Sequence, residues 1–169
     1  MNRFDKIIQE ALSFSKTFKA PASEDIEVRR QELIDDIVKY LDKTKLPDGT
    51  WLVDGGLNIS GEKIKSFKGL NISKIDGYFA CNSCGLESLE YGPKEVTGSY
   101  NCSFNPIKNF KGVPKYIGGS FSFENTHLTS LEGFPKEIVG HVYGVATHLD
   151  VLTDEMIRDI CNVHGRVHV

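Results

Sequence analysis

The chain has 169 residues, 40% of them hydrophobic and 25% charged, with a formal net charge of −3. This is the make-up of one ordinary globular domain. It lacks the run of about 20 apolar residues that spans a bilayer, the basic stripe of a nucleic-acid binder and the carboxylate runs of a DNA mimic. The opening Asn2, Arg3, Asp5 and Lys6 are not the apolar core of a secretory signal, so a reducing cytoplasm is the expected setting.

In residues 2–18, Phe4, Ile7, Ile8, Ala11, Leu12 and Phe18 recur near helical spacing and predict a short amphipathic helix. Lys19-Ala20-Pro21-Ala22 breaks it. Ser23 is placed to cap a second helix, Glu24 and Asp25 suit its positive end, and Ile26, Leu33, Ile34, Ile37, Val38 and Leu41 line one face to about Lys43. Residues 1–45, with nine basic and nine acidic side chains, therefore read as a helical hairpin. The hairpin either seals the exposed end of a downstream repeat array or acts as a separate docking element.

Leu46-Pro47-Asp48-Gly49 marks a turn, and an internal repeat begins after it. Gly55, Gly77, Gly98, Gly119 and Gly140 lie 22, 21, 21 and 21 residues apart. Two residues before each stands Val53, Ile75, Val96, Ile117 or Ile138, and two after stands Leu57, Phe79, Tyr100, Phe121 or Val142. Ile64, Leu86, Ile107, Leu128 and Leu149 come at plus nine, and Phe67, Leu89, Phe110, Leu131 and Leu152 at plus twelve. A fixed period of this length predicts a leucine-rich-repeat-like solenoid. The expected fold is an α+β repeat protein of about five 21-residue rungs with a parallel sheet. The glycine-centred stretch alternates with period two and predicts a half-buried strand; glycine within it signals close approach by a neighbour. Pro93, Pro114 and Pro135 set the return to the next strand. The solenoid takes residues 46–152. In 153–169, Thr153 can cap a short helix with Met156, Ile157 and Ile160 as its apolar side, and Arg166-Val167-His168-Val169 alternates like an edge strand, giving a C-terminal helix-strand cap.

The phrases Leu86-Glu-Ser-Leu89, Gly92-Pro93-Lys94-Glu95-Val96-Thr97-Gly98-Ser99-Tyr100-Asn101-Cys102-Ser103-Phe104-Asn105 and Leu128-Thr-Ser-Leu131-Glu-Gly133-Phe134-Pro135 resemble those of short leucine-rich-repeat-like proteins of tailed bacteriophages and some bacteria. The resemblance covers roughly residues 53–169. It departs where Ile59, Phe123 and Gly144 replace the cysteine, and where Glu62, Cys84, Thr126 and Thr147 replace the asparagine matched by Asn105. What it implies is a protein-binding module, of the kind a phage makes to block or redirect a host protein in the host cytoplasm.

Cys81 and Cys84 form a C-x-x-C, but Cys102 stands one period after Cys81, which predicts core thiols rather than a zinc or redox site. His127 and His148, 21 apart, should be neighbours on successive rungs at the surface. No nucleophile, base and orienting group recur together, and no phosphate loop or zinc-protease motif is present. The expectation is a non-enzyme with no cofactor, no metal and no catalytic residues. The outward strand rows are small and polar except the last, Val139, His141, Tyr143 and Val145, with Tyr78 a second outward aromatic. These five are the candidate partner-binding residues, unless Arg166–Val169 folds over the row. The expected function is binding to a host protein that it inhibits or modulates, for example a defence or regulatory factor. A structural role through homo-oligomerisation, or a small metal protein or enzyme, are the alternatives. Neither nucleic acid nor membrane is an expected partner.

Overall fold

The computed structural model describes residues 23–149 and 151–169; the helix expected over residues 2–18 and the break at Lys19–Ala22 lie outside the described residues. Helix α1, Ser23–Lys39, carries Glu24 and Asp25 in its first turn and Lys39 in its last, complementing the helix dipole at both ends. Ile34 is fully buried, with Leu33, Ile37 and Val38 packed partly against the same core. The helix stops short of Lys43. Lys43–Lys45 instead form β1, antiparallel to β2 (Trp51–Asp54). Leu46–Thr50 makes the connecting turn, where Asp48 Oδ1 accepts the Thr50 N–H (3.0 Å) and hydroxyl (2.6 Å).

Beyond β2 the chain winds through β3 (Leu57–Asn58), β4 (Ile72–Asp76), β5 (Phe79–Ala80), β6 (Glu95–Val96), β7 (Tyr100–Asn101), β8 (Tyr116–Ile117), β9 (Phe121–Ser122), β10 (Glu137–Ile138) and β11 (Val142–Tyr143). It ends in helix α2 (Asp154–Ile160), β12 (Asn162–Val163) and β13 (Val167–His168). Each turn contributes one short strand to each of two sheets, ordered β1-β2-β4-β6-β8-β10-β12 and β3-β5-β7-β9-β11-β13, parallel throughout except for β1. The alternating stretch is thus two strands rather than the single strand its period suggests. The break falls at the glycines, which lie at the corner between the sheets and not on an inward face. At this corner three of the glycine N–H groups donate to the equivalent glycine carbonyl one turn earlier: Gly98 to Gly77 at 2.8 Å, Gly119 to Gly98 at 3.0 Å, Gly140 to Gly119 at 2.9 Å.

The remaining side of each turn is built without strands. Ser66, Ser88, Asn109 and Ser130 each accept the backbone N–H two residues on, from Lys68, Glu90, Lys111 and Glu132, at 2.9–3.2 Å. Such Asx and ST turns compete with regular structure and set the local bend. Inside lie columns of Val53-Ile75-Val96-Ile117-Ile138 and Leu57-Phe79-Tyr100-Phe121-Val142, all buried. Phe79 and Tyr100, and Tyr100 and Phe121, meet edge-to-face at 5.1 and 5.7 Å, the arrangement aromatic quadrupoles favour. A second corner runs through Gly61, Ser83, Phe104, Asn125 and Ala146, every one at φ between 51° and 81°. Phe104, with φ 58° and 56% exposed, is the bulkiest residue at this corner, and the left-handed conformation costs it about 1–2 kcal/mol.

The C-terminal segment is a sixth turn, one more than the five read from the period. Ile138 pairs with Val163 and Val142 with Val167, and the Gly165 N–H donates to the Gly140 carbonyl at 3.1 Å. Gly165 stands 25 residues after Gly140 because α2 is inserted between them. Thr153 caps α2, its hydroxyl accepting the Met156 N–H at 3.2 Å. Of the apolar side predicted for α2, only Ile157 is buried; Met156 and Ile160 are exposed. Both ends of the coil are closed by the same device. Arg30 on α1, paired with Glu27 at 2.6 Å, donates to the Ser66 and Lys68 carbonyls at 3.4 and 2.6 Å. Arg158 on α2, paired with Asp154 at 2.6 Å, donates to the Val163 and Gly165 carbonyls at 2.8 and 3.0 Å. A guanidinium thereby supplies the donors that a further turn would have given. The whole is an α+β solenoid of six parallel turns, broadly similar to leucine-rich-repeat-like proteins, with an N-terminal helix and a C-terminal helix-strand cap.

Candidate interaction surface

The outer face of the second sheet carries three columns: Gly56-Tyr78-Ser99-Ser120-His141-Arg166, Asn58-Ala80-Asn101-Ser122-Tyr143-His168, and Ser60-Asn82-Ser103-Glu124-Val145. Its middle is small and polar and is tied from turn to turn. Ser99 Oγ accepts the Ser120 N–H and Ser120 Oγ accepts the His141 N–H, both at 3.0 Å. His141 Nδ1 takes the same place on the next turn and accepts the Arg166 N–H at 2.9 Å. That bond fixes the neutral tautomer of His141 with its proton on Nε2. Ser103, counted as outward from the alternation, is buried and uses its Oγ to accept the Glu124 N–H at 3.1 Å.

At the last two turns the face changes character. The Tyr143 and His168 rings stack at 5.2 Å and 6°. His141 stands 6.1 Å from Tyr143 and 6.4 Å from His168. Val145 is exposed on the same sheet, whereas Val139 is exposed on the far side of the Gly140 corner, in the column of His164. Tyr78 does not join them. It lies three turns away, about 14 Å at the inter-strand spacing, with its ring over Gly56. Arg166–Val169 does not fold over the row; β13 pairs beside β11 and widens it. The sequence reading misses Arg166 and His168 as members of this surface. Their signal is Val163-x-Gly165-x-Val167, the repeat phrase displaced by four residues.

Elsewhere, Lys94, Lys115 and Lys136 stack on successive turns, an exposed basic column that a linear reading does not reveal. Carboxylates flank it on both sides. Lys74–Glu95 (2.6 Å) and Lys111–Glu132 (3.1 Å) are ion pairs in the adjoining columns. An open groove of about 610 Å³ between Lys94, Lys111, Lys115, Glu90 and Glu132 therefore offers mixed charge and no single ligand chemistry.

The four cysteines are buried, with Cys81 and Cys102 in one column as their spacing predicts. Burial pushes the Cys84 and Cys161 thiols up to about 11, and raises Cys81 and Cys102 further. The Cys84 thiol donates to the Ile59 carbonyl at 3.0 Å. Thiolate is the reactive species, so Ellman's reagent at pH 8 should leave all four thiols unmodified over minutes in the folded protein and titrate four after unfolding. Fast modification of Cys81 or Cys84 would contradict their place in the core. His127 and His148 are rung neighbours, stacked at 4.4 Å and 7°. Among the described residues no three His, Cys, Asp or Glu side chains gather as a metal site, and no helix is long and apolar enough to cross a membrane. Compared with protein-family models, curated proteins and solved structures, the chain matches none.

Proposed function

We propose that the chain is a non-enzymatic protein-binding module whose contact surface is the C-terminal end of the second sheet. One observation carries the reading: exposed His141 and His168 and half-buried Tyr143 form a contiguous aromatic cluster, bordered by exposed Val145, on a face whose middle turns are made of Ser, Asn and Ala. Exposed apolar-aromatic patches mark interaction sites, and tyrosine is enriched among the residues that dominate binding energy. The solenoid supports this, since repeat scaffolds of this form are typically non-catalytic and present extended binding surfaces. Tyr78 and Val139 lie outside the cluster. The resemblance of the Leu-x-Ser-Leu and Gly-x-aromatic phrases to phage and bacterial repeat proteins supports the finer reading. On it, the protein is a phage-type accessory factor that inhibits or modulates a cytoplasmic host protein.

The test is affinity capture from a bacterial host lysate with the wild-type chain and with the double variant His141→Ala, Tyr143→Ala. The expected result is one stoichiometric protein retained by the wild type, with at least a tenfold drop in affinity for the variant. Equal capture by both would place the contact surface elsewhere.

A further inference from the structure

The two sheets treat their edges differently. In the first sheet, β1 covers one edge with an antiparallel strand whose Lys43 and Lys45 ammonium groups lie 5.3 and 5.7 Å from the Trp51 ring. At its other edge Arg158 occupies the Val163 and Gly165 carbonyls. Lysine, arginine and covering strands are how proteins block unwanted pairing at a sheet edge. The second sheet has no such cover on β13. There the Arg166 and His168 carbonyls accept from Val142 and Gly144, both at 2.8 Å, and the Arg166 N–H is taken by His141 Nδ1. Alternate residues of a parallel strand bond to opposite sides, so the Val167 N–H and C=O point away from β11. No described residue meets them.

An unpaired guanidinium flanks this edge. Arg166 is exposed and pairs with no carboxylate among the described residues, and His168 and His141 stand beside it. Resting on the protein-binding reading above, we propose that β13 takes an acidic extended segment of the partner as a seventh strand. Its backbone would pair with Val167, and its carboxylates, two residues apart, would face Arg166 and His168. Strand addition of this kind draws affinity from main-chain hydrogen bonds and specificity from alternate side chains. A second copy of the chain fits less well. Antiparallel self-pairing about Val167 sets each Arg166 opposite the other copy's His168, which offers it no carboxylate.

The probe is the peptide acetyl-Thr-Glu-Val-Glu-Val-Glu-Thr-amide, with a control in which Lys replaces each Glu, titrated into the isotopically labelled full chain. The acidic peptide should shift the amide resonances of Arg166–Val169, His141 and Tyr143, and slow exchange of the Val167 amide at least tenfold. Its affinity should fall with added salt, and Arg166→Glu, an exposed substitution, should weaken it at least tenfold. Three results would overturn the proposal: equal binding of the lysine peptide, shifts confined to the Lys94-Lys115-Lys136 column, or a dimer by sedimentation that Arg166→Glu dissolves. If the peptide fails while lysate capture still depends on His141 and Tyr143, the strand-addition proposal falls and the binding surface stands. If capture is independent of those residues, the surface itself is wrong.

Discussion

Asn105→Ala should lower the folding free energy by about 4 kcal/mol, near the top of what one substitution does. Asn105 is 1% exposed. Its Oδ1 accepts the Cys84 and Leu86 N–H groups, both at 3.0 Å, and its Nδ2 donates to the Cys81 and Cys102 carbonyls at 2.9 Å and to Ser103 at 3.3 Å. One side chain thus satisfies the backbone of two successive turns where the chain leaves the second sheet. Truncation leaves two donors and at least two acceptors buried without this partner, and each orphan costs about 1–3 kcal/mol. Asn105→Asp separates the contributions. It keeps the acceptor but turns a carboxylate oxygen toward the Cys81 and Cys102 carbonyls. Burial beside carbonyls disfavours the charged form, so the folded-state pKa of the new carboxyl lies above its unfolded value. Relative to wild type, the variant should be least impaired at acid pH and lose stability as pH rises through that folded pKa. Urea midpoints at pH 4 and pH 7 check both variants; a loss below about 1.5 kcal/mol for Asn105→Ala would show that the turn is held by something else.

Asn105 also marks the boundary between what the sequence discloses and what it conceals. The period of the glycines and of the flanking apolar residues names the turns, because each turn must bury the same inward positions against the last. The cysteine column comes from the same arithmetic. The role of Asn105 does not, because its column holds different residues that solve the same problem in different ways. Thr126 donates its hydroxyl to the Phe123 carbonyl at 2.9 Å, and Cys84 its thiol to Ile59. Two sheets read as one strand per turn because period-two alternation is blind to a bend at a residue without a side chain. The sixth turn reads as a cap because α2 lengthens the interval before Gly165, although Val163 and Val167 keep their places around it. That miss bears on the proposed function, since it removes Arg166 and His168 from a surface whose other half, His141, Tyr143 and Val145, is recognisable from side-chain size alone.

The glycine period itself is open to a within-chain test. Gly119→Ala should cost about 3–4 kcal/mol and Gly55→Ala about 1 kcal/mol, although both replace the same position of the repeat. A Cβ on Gly119 would sit 2.5 Å from the Ser99 nitrogen and 2.7 Å from the Gly98 carbonyl carbon. These are backbone atoms of the preceding turn, held by the Gly119 to Gly98 hydrogen bond. The clash cannot be relieved by a rotamer and must spread the turns apart. Gly55 belongs to the first turn, has no turn before it, and would place a Cβ with nothing within 4 Å; its φ of 93° is the whole of its penalty. Gly119 has no positive φ, so a loss of about 1 kcal/mol or less for Gly119→Ala in urea unfolding would mean that turn-to-turn contact is not what requires glycine here. The same contact reaches the proposed binding surface at the last turn, where a Cβ on Gly165 would lie 2.8 Å from His141 Nδ1. The stacking that demands glycine at this corner is therefore also what brings the Arg166 N–H within bonding distance of His141 and holds that ring beside Tyr143 and His168.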